Sequence, residues 1–263
     1  NDKSVVWAKN YGIPFRSNLK FIDEQILLSN QDNEIYSINP ISGEKNWQFA
    51  TTTTFLKSNF KNNFAIDEIN KNLFFLNTSG ELYSINYSNK KVNWVINFKN
   101  SSQKGELSLF FSQPVVIKNN NIIISTESLI HNFNSSNGSR KWNFPSDSIL
   151  KPIITNNYVF ILSKHNLLIC IQNDTGKVIW SKNIYSNLNI KKISKIGKLS
   201  DFKIANKKLN IFSKNGYLLS FNYNNGKLEY MKKISKNGIG SEIIYTKDNM
   251  YFIDNNNKLL KFN

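Results

Sequence analysis

The side chains suited to nucleophilic or metal chemistry are few: one cysteine, Cys170, and two histidines, His131 and His165. A thiolate nucleophile needs an electropositive neighbour, and a zinc site needs several ligands at short spacings. Cys170 lies in the apolar run LLICI, where a thiol reads as a small buried side chain. A single cysteine gives neither a disulfide framework nor a thiolate metal site. His131 and His165 occupy corresponding places in consecutive stretches, near hairpins, and neither has a second ligand at a recognisable spacing. Both read as ordinary turn or strand histidines. Asp23, Asp67, Asp201 and Asp254 fall in or beside strands and turns and form no carboxylate pair for acid–base work. Nucleophile motifs and phosphate-cradling glycine loops do not occur. The expectation is a chain with no catalytic residue, no cofactor and no metal ion.

Charge is the next candidate for chemistry. The 34 basic residues exceed the 18 acidic ones, for a net charge of +16. Such an excess suggests polyanion binding, but arginine, the residue of bidentate phosphate and base contacts, stands only at 16 and 140. Asn, Ile, Phe and Tyr, all with AT-rich codons, are abundant too, so the lysine content follows composition and nucleic acid is not the expected partner. The densest basic run is KKISKIGK, Lys191 to Lys198, followed by Lys203, Lys207 and Lys208. Most of this charge reads as solvated loops and edges, where lysine guards exposed strands. Lys191, Lys192, Lys195 and Lys198 remain the one candidate patch for an acidic partner or an anionic lipid headgroup.

What positions these residues is a repeat. NDTGKVIW (Asn173 to Trp180) has counterparts in NPISGEKNW (Asn39 to Trp47), NYSNKKVNW (Asn86 to Trp94), NSSNGSRKW (Asn134 to Trp142) and NYNNGKLEY (Asn222 to Tyr230). Upstream, flanks such as ILLSNQDNEIYSI and LFFLNTSGELYSI recur. From flank to closing aromatic is 22 residues in four units and 21 in the third. With Trp7 included, the aromatics Trp7, Trp47, Trp94, Trp142, Trp180 and Tyr230 are 38 to 50 residues apart, within the range of propeller blades.

The internal period decides the fold. EIYSIN and ELYSIN alternate apolar and polar residues, run five or six positions and are bounded by Asn, Asp, Ser and Gly, so they are strands joined by tight turns. No stretch shows an apolar stripe at helical spacing, and no helix is expected. Each unit reads as four antiparallel strands, opened by segments such as Gln113–Ile117 or Lys151–Thr155 and closed by the aromatic strand. A lone sheet of this size cannot bury both faces; radial stacking can. The fold class is therefore all-β, a β-propeller of four-stranded blades occupying residues 1–263 as one domain. Each tryptophan is expected to wedge against the neighbouring blade while its indole N–H meets a carbonyl.

Six units are visible. SVVWAKN, Ser4 to Asn10, reads as a tryptophan strand without a blade, and the chain stops at Leu259 to Asn263 with a blade lacking that strand. Pairing of the two would close a six-bladed ring; repeats preceding Asn1 would make seven or eight blades. No stretch approaches the ~18 apolar residues of a membrane span.

Asn/Asp, then Thr/Ser/Asn-Gly, then three residues and Trp, preceded by an alternating strand, resembles the PQQ-type, or quinoprotein-type, propeller repeat over nearly the whole chain, with NDTGKVIW its best single match. Lys90 in place of glycine and Tyr230 in place of tryptophan depart from it. The resemblance is greatest to the BamB family of outer-membrane assembly lipoproteins. It implies a non-enzymatic, monomeric interaction scaffold in the periplasm at the inner face of the outer membrane of a Gram-negative bacterium, lipid-anchored and peripheral to the membrane. The implied partners are periplasmic domains of the barrel-inserting machinery and nascent barrel strands. PQQ-dependent dehydrogenases share the repeat, but their cofactor pocket uses an adjacent cysteine pair that this chain lacks. A propeller module binding some other ligand through its loops is the alternative.

Overall fold

The computed structural model describes residues 4–52, 64–98, 114–126, 128–247 and 249–262. Among them the alternating segments form 23 strands in six antiparallel meanders, five with four strands and one with three. The first sheet comprises β1 (Lys20–Ile22), β2 (Gln25–Ser29), β3 (Glu34–Ile38) and β4 (Lys45–Ala50). The second comprises β5 (Ala65–Asp67), β6 (Asn72–Leu76), β7 (Glu81–Asn86) and β8 (Lys91–Asn97). The third comprises β9 (Val116–Lys118), β10 (Asn121–Ser125), β11 (Ile130–Asn134) and β12 (Arg140–Phe144). Gln113, placed by the sequence at the start of β9, is outside the described residues. β13 (Ile153–Ile154), β14 (Tyr158–Leu162), β15 (Leu167–Gln172) and β16 (Val178–Asn183) form the fourth. β17 (Leu199–Ala205), β18 (Lys208–Ser213), β19 (Tyr217–Asn222) and β20 (Leu228–Lys233) form the fifth. The sixth has β21 (Ile244–Tyr245), β22 (Met250–Ile253) and β23 (Leu259–Phe262). Residues 4–10 carry no strand.

Contacts divide the chain into two compact units, Asn1–Asn143 and Phe144–Asn263. In the first unit one core joins Leu27 and Ile35 of the first sheet to Leu73, Phe75 and Ile85 of the second. Another joins Phe74 and Leu82 to Ile122, Ile124 and Phe133 of the third. The second unit repeats the scheme, with Phe160 and Leu168 against Leu209, Ile211 and Leu219, and Phe212 and Leu218 against Met250 and Phe252. Within each unit, adjacent sheets thus bury a face on one another, which is how a four-stranded sheet acquires a core.

The turn before each aromatic strand has one geometry. The N–H at the fifth turn position donates to the first carbonyl in all five: Gly43 to Asn39 (2.9 Å), Lys90 to Asn86 (2.7 Å), Gly138 to Asn134 (2.8 Å), Gly176 to Gln172 (2.9 Å) and Gly226 to Asn222 (2.9 Å). The Asn39, Asn86, Asn134 and Asn222 side chains accept from N–H groups two residues on, the Asx turn that favours asparagine. In the fourth unit this place belongs to Gln172, so the repeat there is QNDTGKVIW, one residue earlier than the Asn173 start read from the sequence. The fifth position is left-handed throughout, including Lys90 at φ 65°, a conformation that costs a non-glycine residue roughly 1–2 kcal/mol.

Glycine at that position has a second cause. A Cβ on Gly43 would lie 2.6 Å from the Trp7 ring, and one on Gly138 would lie 2.9 Å from the Trp94 ring; Gly226 backs onto Trp180 in the same way. Each of these tryptophans therefore rests on a turn of another repeat. The indoles of Trp7 and Trp94 donate to the carbonyls of Pro40 (2.8 Å) and Ser135 (3.1 Å), as the sequence led one to expect.

Directly before the aromatic the ladder is interrupted by a bulge, which leaves the aromatic opposite a small residue: Trp47 opposite Ser37, Trp94 opposite Ser84, Trp180 opposite Cys170 and Tyr230 opposite Ser220. The next strand across contributes Leu27, Phe74, Phe160 and Asn210 to the same rows. Directly opposed residues share a sheet face, and the Trp94 and Trp180 rings lie 5.8 and 5.9 Å from Phe74 and Phe160.

The turn between the second and third strands is capped by a side chain in all six sheets. Asn30, Asn77, Thr126, Ser163, Ser213 and Asp254 accept from the N–H of Glu34, Glu81, Leu129, Leu167, Tyr217 and Lys258. The third of these spans three residues instead of four, which accounts for the 21-residue spacing of that unit.

One element departs from the all-strand expectation. A short helix, α1 (Ile190–Ile196), stands between the fourth and fifth sheets. Local signals form it: the Asn189 side chain caps the Lys192 N–H at 2.9 Å, Ile196 is fully buried, and Gly197 ends it at φ 70°. Seven residues are too few for a helical period to stand out from the surrounding strands.

Candidate functional site

The four lysines singled out by the sequence lie on α1 and just beyond it. Lys191, Lys192, Lys195 and Lys198 are all exposed. Buried Ile196 anchors the segment in the core shared with Leu199 and Phe202, and the Asn215 amide donates to the Lys195 carbonyl at 3.1 Å. None of the four forms an ion pair among the described residues, whereas Lys203 and Lys208 pair with Asp201 (3.3 Å) and Glu229 (3.0 Å). Beside them Ile190 is 84% exposed. The helix thus holds out four uncompensated ammonium groups and one apolar side chain on a fixed base.

The residues with catalytic chemistry are placed otherwise. Cys170 fills the small position opposite Trp180, and burial pushes its thiol up to about 12, far from a thiolate. His131 is buried on β11 between Phe98 and Phe133, with ring centroids at 5.4 and 5.9 Å. Burial, with a smaller contribution from Arg140, lowers it to about 4, so the imidazole is neutral at physiological pH. His165 is exposed in a turn. The ladders show that the two histidines do not correspond: Ile130 and Leu168 take equivalent places, which makes Ile169 the counterpart of His131.

The four aspartates serve the framework. Asp23 pairs with Lys71 at 2.8 Å, and hydrogen bonds from Lys71 and Tyr87 hold its carboxyl below the usual range. Asp67 caps its own turn, Asp254 caps another, and Asp201 accepts the Ile243 N–H at 2.8 Å. Among the described residues no group of three or more His, Cys, Asp or Glu side chains could hold a metal ion.

Two clusters escaped the sequence reading. Glu34 accepts from Asn30 (2.6 Å) and Tyr36 (2.9 Å), and Glu81 accepts from Asn77 (3.0 Å) and Tyr83 (2.9 Å). Burial alone would raise the Glu81 carboxyl, but hydrogen bonds from Asn77, Thr52, Tyr83 and Ser79 together hold it below the usual range. The signal was present in NEIYSI and GELYSI, where Glu and Tyr two apart on a strand share a face. Both carboxylates tie neighbouring side chains together within the first two sheets.

With this geometry in view, the comparisons give a class and then a family. The class is the β-propeller. The structure superposes on BamB from Moraxella catarrhalis with a TM-score of 0.58 at 10% identity, covering 98% of this chain and 88% of that one. It also superposes on Kluyveromyces lactis Hsv2 carrying a Gly-Ser linker in place of loop 6CD, with a TM-score of 0.64 at 10% identity, covering 95% and 78%. At that identity the likeness is one of fold. The family model for the outer membrane protein assembly factor BamB matches residues 1–182, and the chain belongs to this family. An uncharacterized protein of Rickettsia conorii is 23% identical over 242 residues, 88% of this chain and 58% of that relative's length.

Proposed function

We propose that this propeller is a non-enzymatic, protein-binding scaffold of the bacterial cell envelope, acting in outer-membrane β-barrel assembly through loops that its rigid sheets hold in place. The observation that carries the reading is the match of residues 1–182 to the BamB family model, in a chain whose cysteine, histidines and aspartates are committed to packing and turns. Its partners would be the periplasmic domains of the barrel-inserting machinery, with attachment to the inner face of the outer membrane.

Within that reading the four lysines of α1 and its flank are the docking surface. Exposed charges that lack ion-pair partners add on-rate and salt sensitivity to an interface. Calorimetric titration with the purified periplasmic domains of the same organism's barrel-inserting protein is the direct test. Micromolar binding is expected, weakening as salt rises and at least tenfold on reversing Lys191, Lys192, Lys195 and Lys198 to Glu. No binding at low salt would refute the scaffold role. Binding indifferent to the reversal would refute only the docking surface.

A further inference from the structure

Of the four rows of three residues described above, one has a polar residue in place of the apolar one. Where other sheets set Leu27–Ser37–Trp47, Phe74–Ser84–Trp94 and Phe160–Cys170–Trp180, the fifth sets Asn210–Ser220–Tyr230. All three of its positions are polar. On that face, between the fifth and sixth sheets within the second unit, lies a cleft of about 680 Å³, a volume typical of small-ligand sites.

Its polar groups are not used up by the fold. Asn210, on the cleft wall, is 5% exposed, yet its Oδ1 has no hydrogen-bond partner; the Oγ of fully buried Ser220, opposite it in the row but not on the wall, has none either. Buried polar atoms in native proteins nearly always have one. The other end of the Asn210 amide donates to the Tyr245 hydroxyl at 3.2 Å, which orients its oxygen. Tyr230 is 41% exposed on the cleft wall. Lys208, Lys232 and Lys247 also line the cleft, while no described carboxylate does. Lys208 sits over the Tyr230 ring at 5.2 Å and is shared with Glu229; Lys232 and Lys247 have no ion-pair partner among the described residues.

We propose that this cleft binds an anionic saccharide, a sugar bearing a carboxylate or a phosphate. A sugar hydroxyl supplies the donor that Asn210 Oδ1 requires. The tyrosine rings offer apolar faces to the sugar's C–H groups. The lysines meet the anionic group. A purely apolar ligand would leave the buried Asn210 oxygen unpaired, at a cost comparable to a lost hydrogen bond.

The test is calorimetric titration of the whole chain with trigalacturonate and, separately, glucose 6-phosphate, with maltotriose and inorganic phosphate as neutral and sugar-free controls. One acidic sugar is expected to bind at least tenfold more tightly than either control, and which one does identifies the anionic group. Asn210→Leu, which restores the packing of the other rows, is expected to weaken that binding at least tenfold without lowering the melting temperature. Lys232→Gln, an exposed change with no burden on folding, is expected to weaken it severalfold and reduce its salt dependence. Silence with both acidic sugars, equal binding of inorganic phosphate, or an Asn210→Leu variant that binds like the parent would overturn the proposal.

Discussion

The two compact units are built from the same repeat and differ in what surrounds it. Asn1–Asn143 carries 15 basic and 11 acidic residues, a net charge of +4, whereas Phe144–Asn263 carries 19 and 7, a net charge of +12. In the first unit, acidic groups are built into the framework through Glu34, Glu81 and Asp23. The second holds the only described helix, the unpaired lysines of α1 and the polar row at Tyr230. Composition can raise lysine everywhere, but it cannot by itself place so much of the excess in one half. The difference teaches that the repeat supplies a neutral chassis and the departures from it supply the surfaces for recognition.

Within the second unit the contrast narrows to two aromatics. Trp180 rests on the Gly226 turn and on Phe160, while Tyr230 is partly exposed beside a cleft. Trp180→Ala is expected to cost roughly 3–5 kcal/mol, as large-to-small changes in packed sites do, and Tyr230→Ala about 1–2 kcal/mol, since 41% of the residue stays exposed. Chemical denaturation of both variants measures the gap. Equal losses would erase the distinction between a closed junction and an open one.

The first unit has its own weak point in His131. Folding holds its pKa at about 4 against 6.5 for an ordinary histidine, so the unfolded chain binds the proton more readily. Its contribution is complete above pH 6.5 and is lost as pH falls toward 4, on the order of 3 kcal/mol in all. Denaturation midpoints measured from pH 7 to pH 4 should fall in the parent, and less steeply in His131→Leu. Parallel profiles would show that another group governs acid sensitivity.

The smallest effect concerns the one turn where glycine is missing. Lys90→Gly relieves a left-handed lysine but loosens the unfolded chain, for a net gain of about 0.5–1 kcal/mol. A stabilised variant would mark Lys90 as a tolerated defect; a destabilised one would mean the lysine side chain contributes packing.

Much of this was legible in the sequence because the repeat writes one rule several times. The tryptophan spacing identified the sheets, the Asn, Asp, Ser and Gly clusters marked the tight turns, and the size of the tryptophan pointed to a ring wedged on a neighbouring repeat. Register was harder. Gln172 was passed over for Asn173 because both suit a turn and only the hydrogen bonds separate them. His131 and His165 share nearness to a hairpin, although the ladder sets His131 level with Ile169, four residues beyond His165. α1 was missed because its signals are a cap, a glycine and one anchoring isoleucine, with too few residues for periodicity. Asn210 carries no motif of its own, and only the ladder sets it in one row with Ser220 and Tyr230. Cross-strand rows depend on residues ten or twenty positions apart, and a linear reading does not bring them together.

The placement of the tryptophans has a consequence for how such a chain can lengthen. Trp94 closes against the turn at Gly138 and Trp180 against the turn at Gly226, so the second and fourth sheets supply rings, and the third and fifth supply the turns that receive them. A whole repeat duplicated in tandem brings both halves of the joint with it. The copy's socket receives the ring before it, and the copy's ring finds the socket that follows. Gain or loss of complete repeats therefore leaves no joint unmatched along the interior of the chain, while an insertion of half a repeat would strand one ring in water.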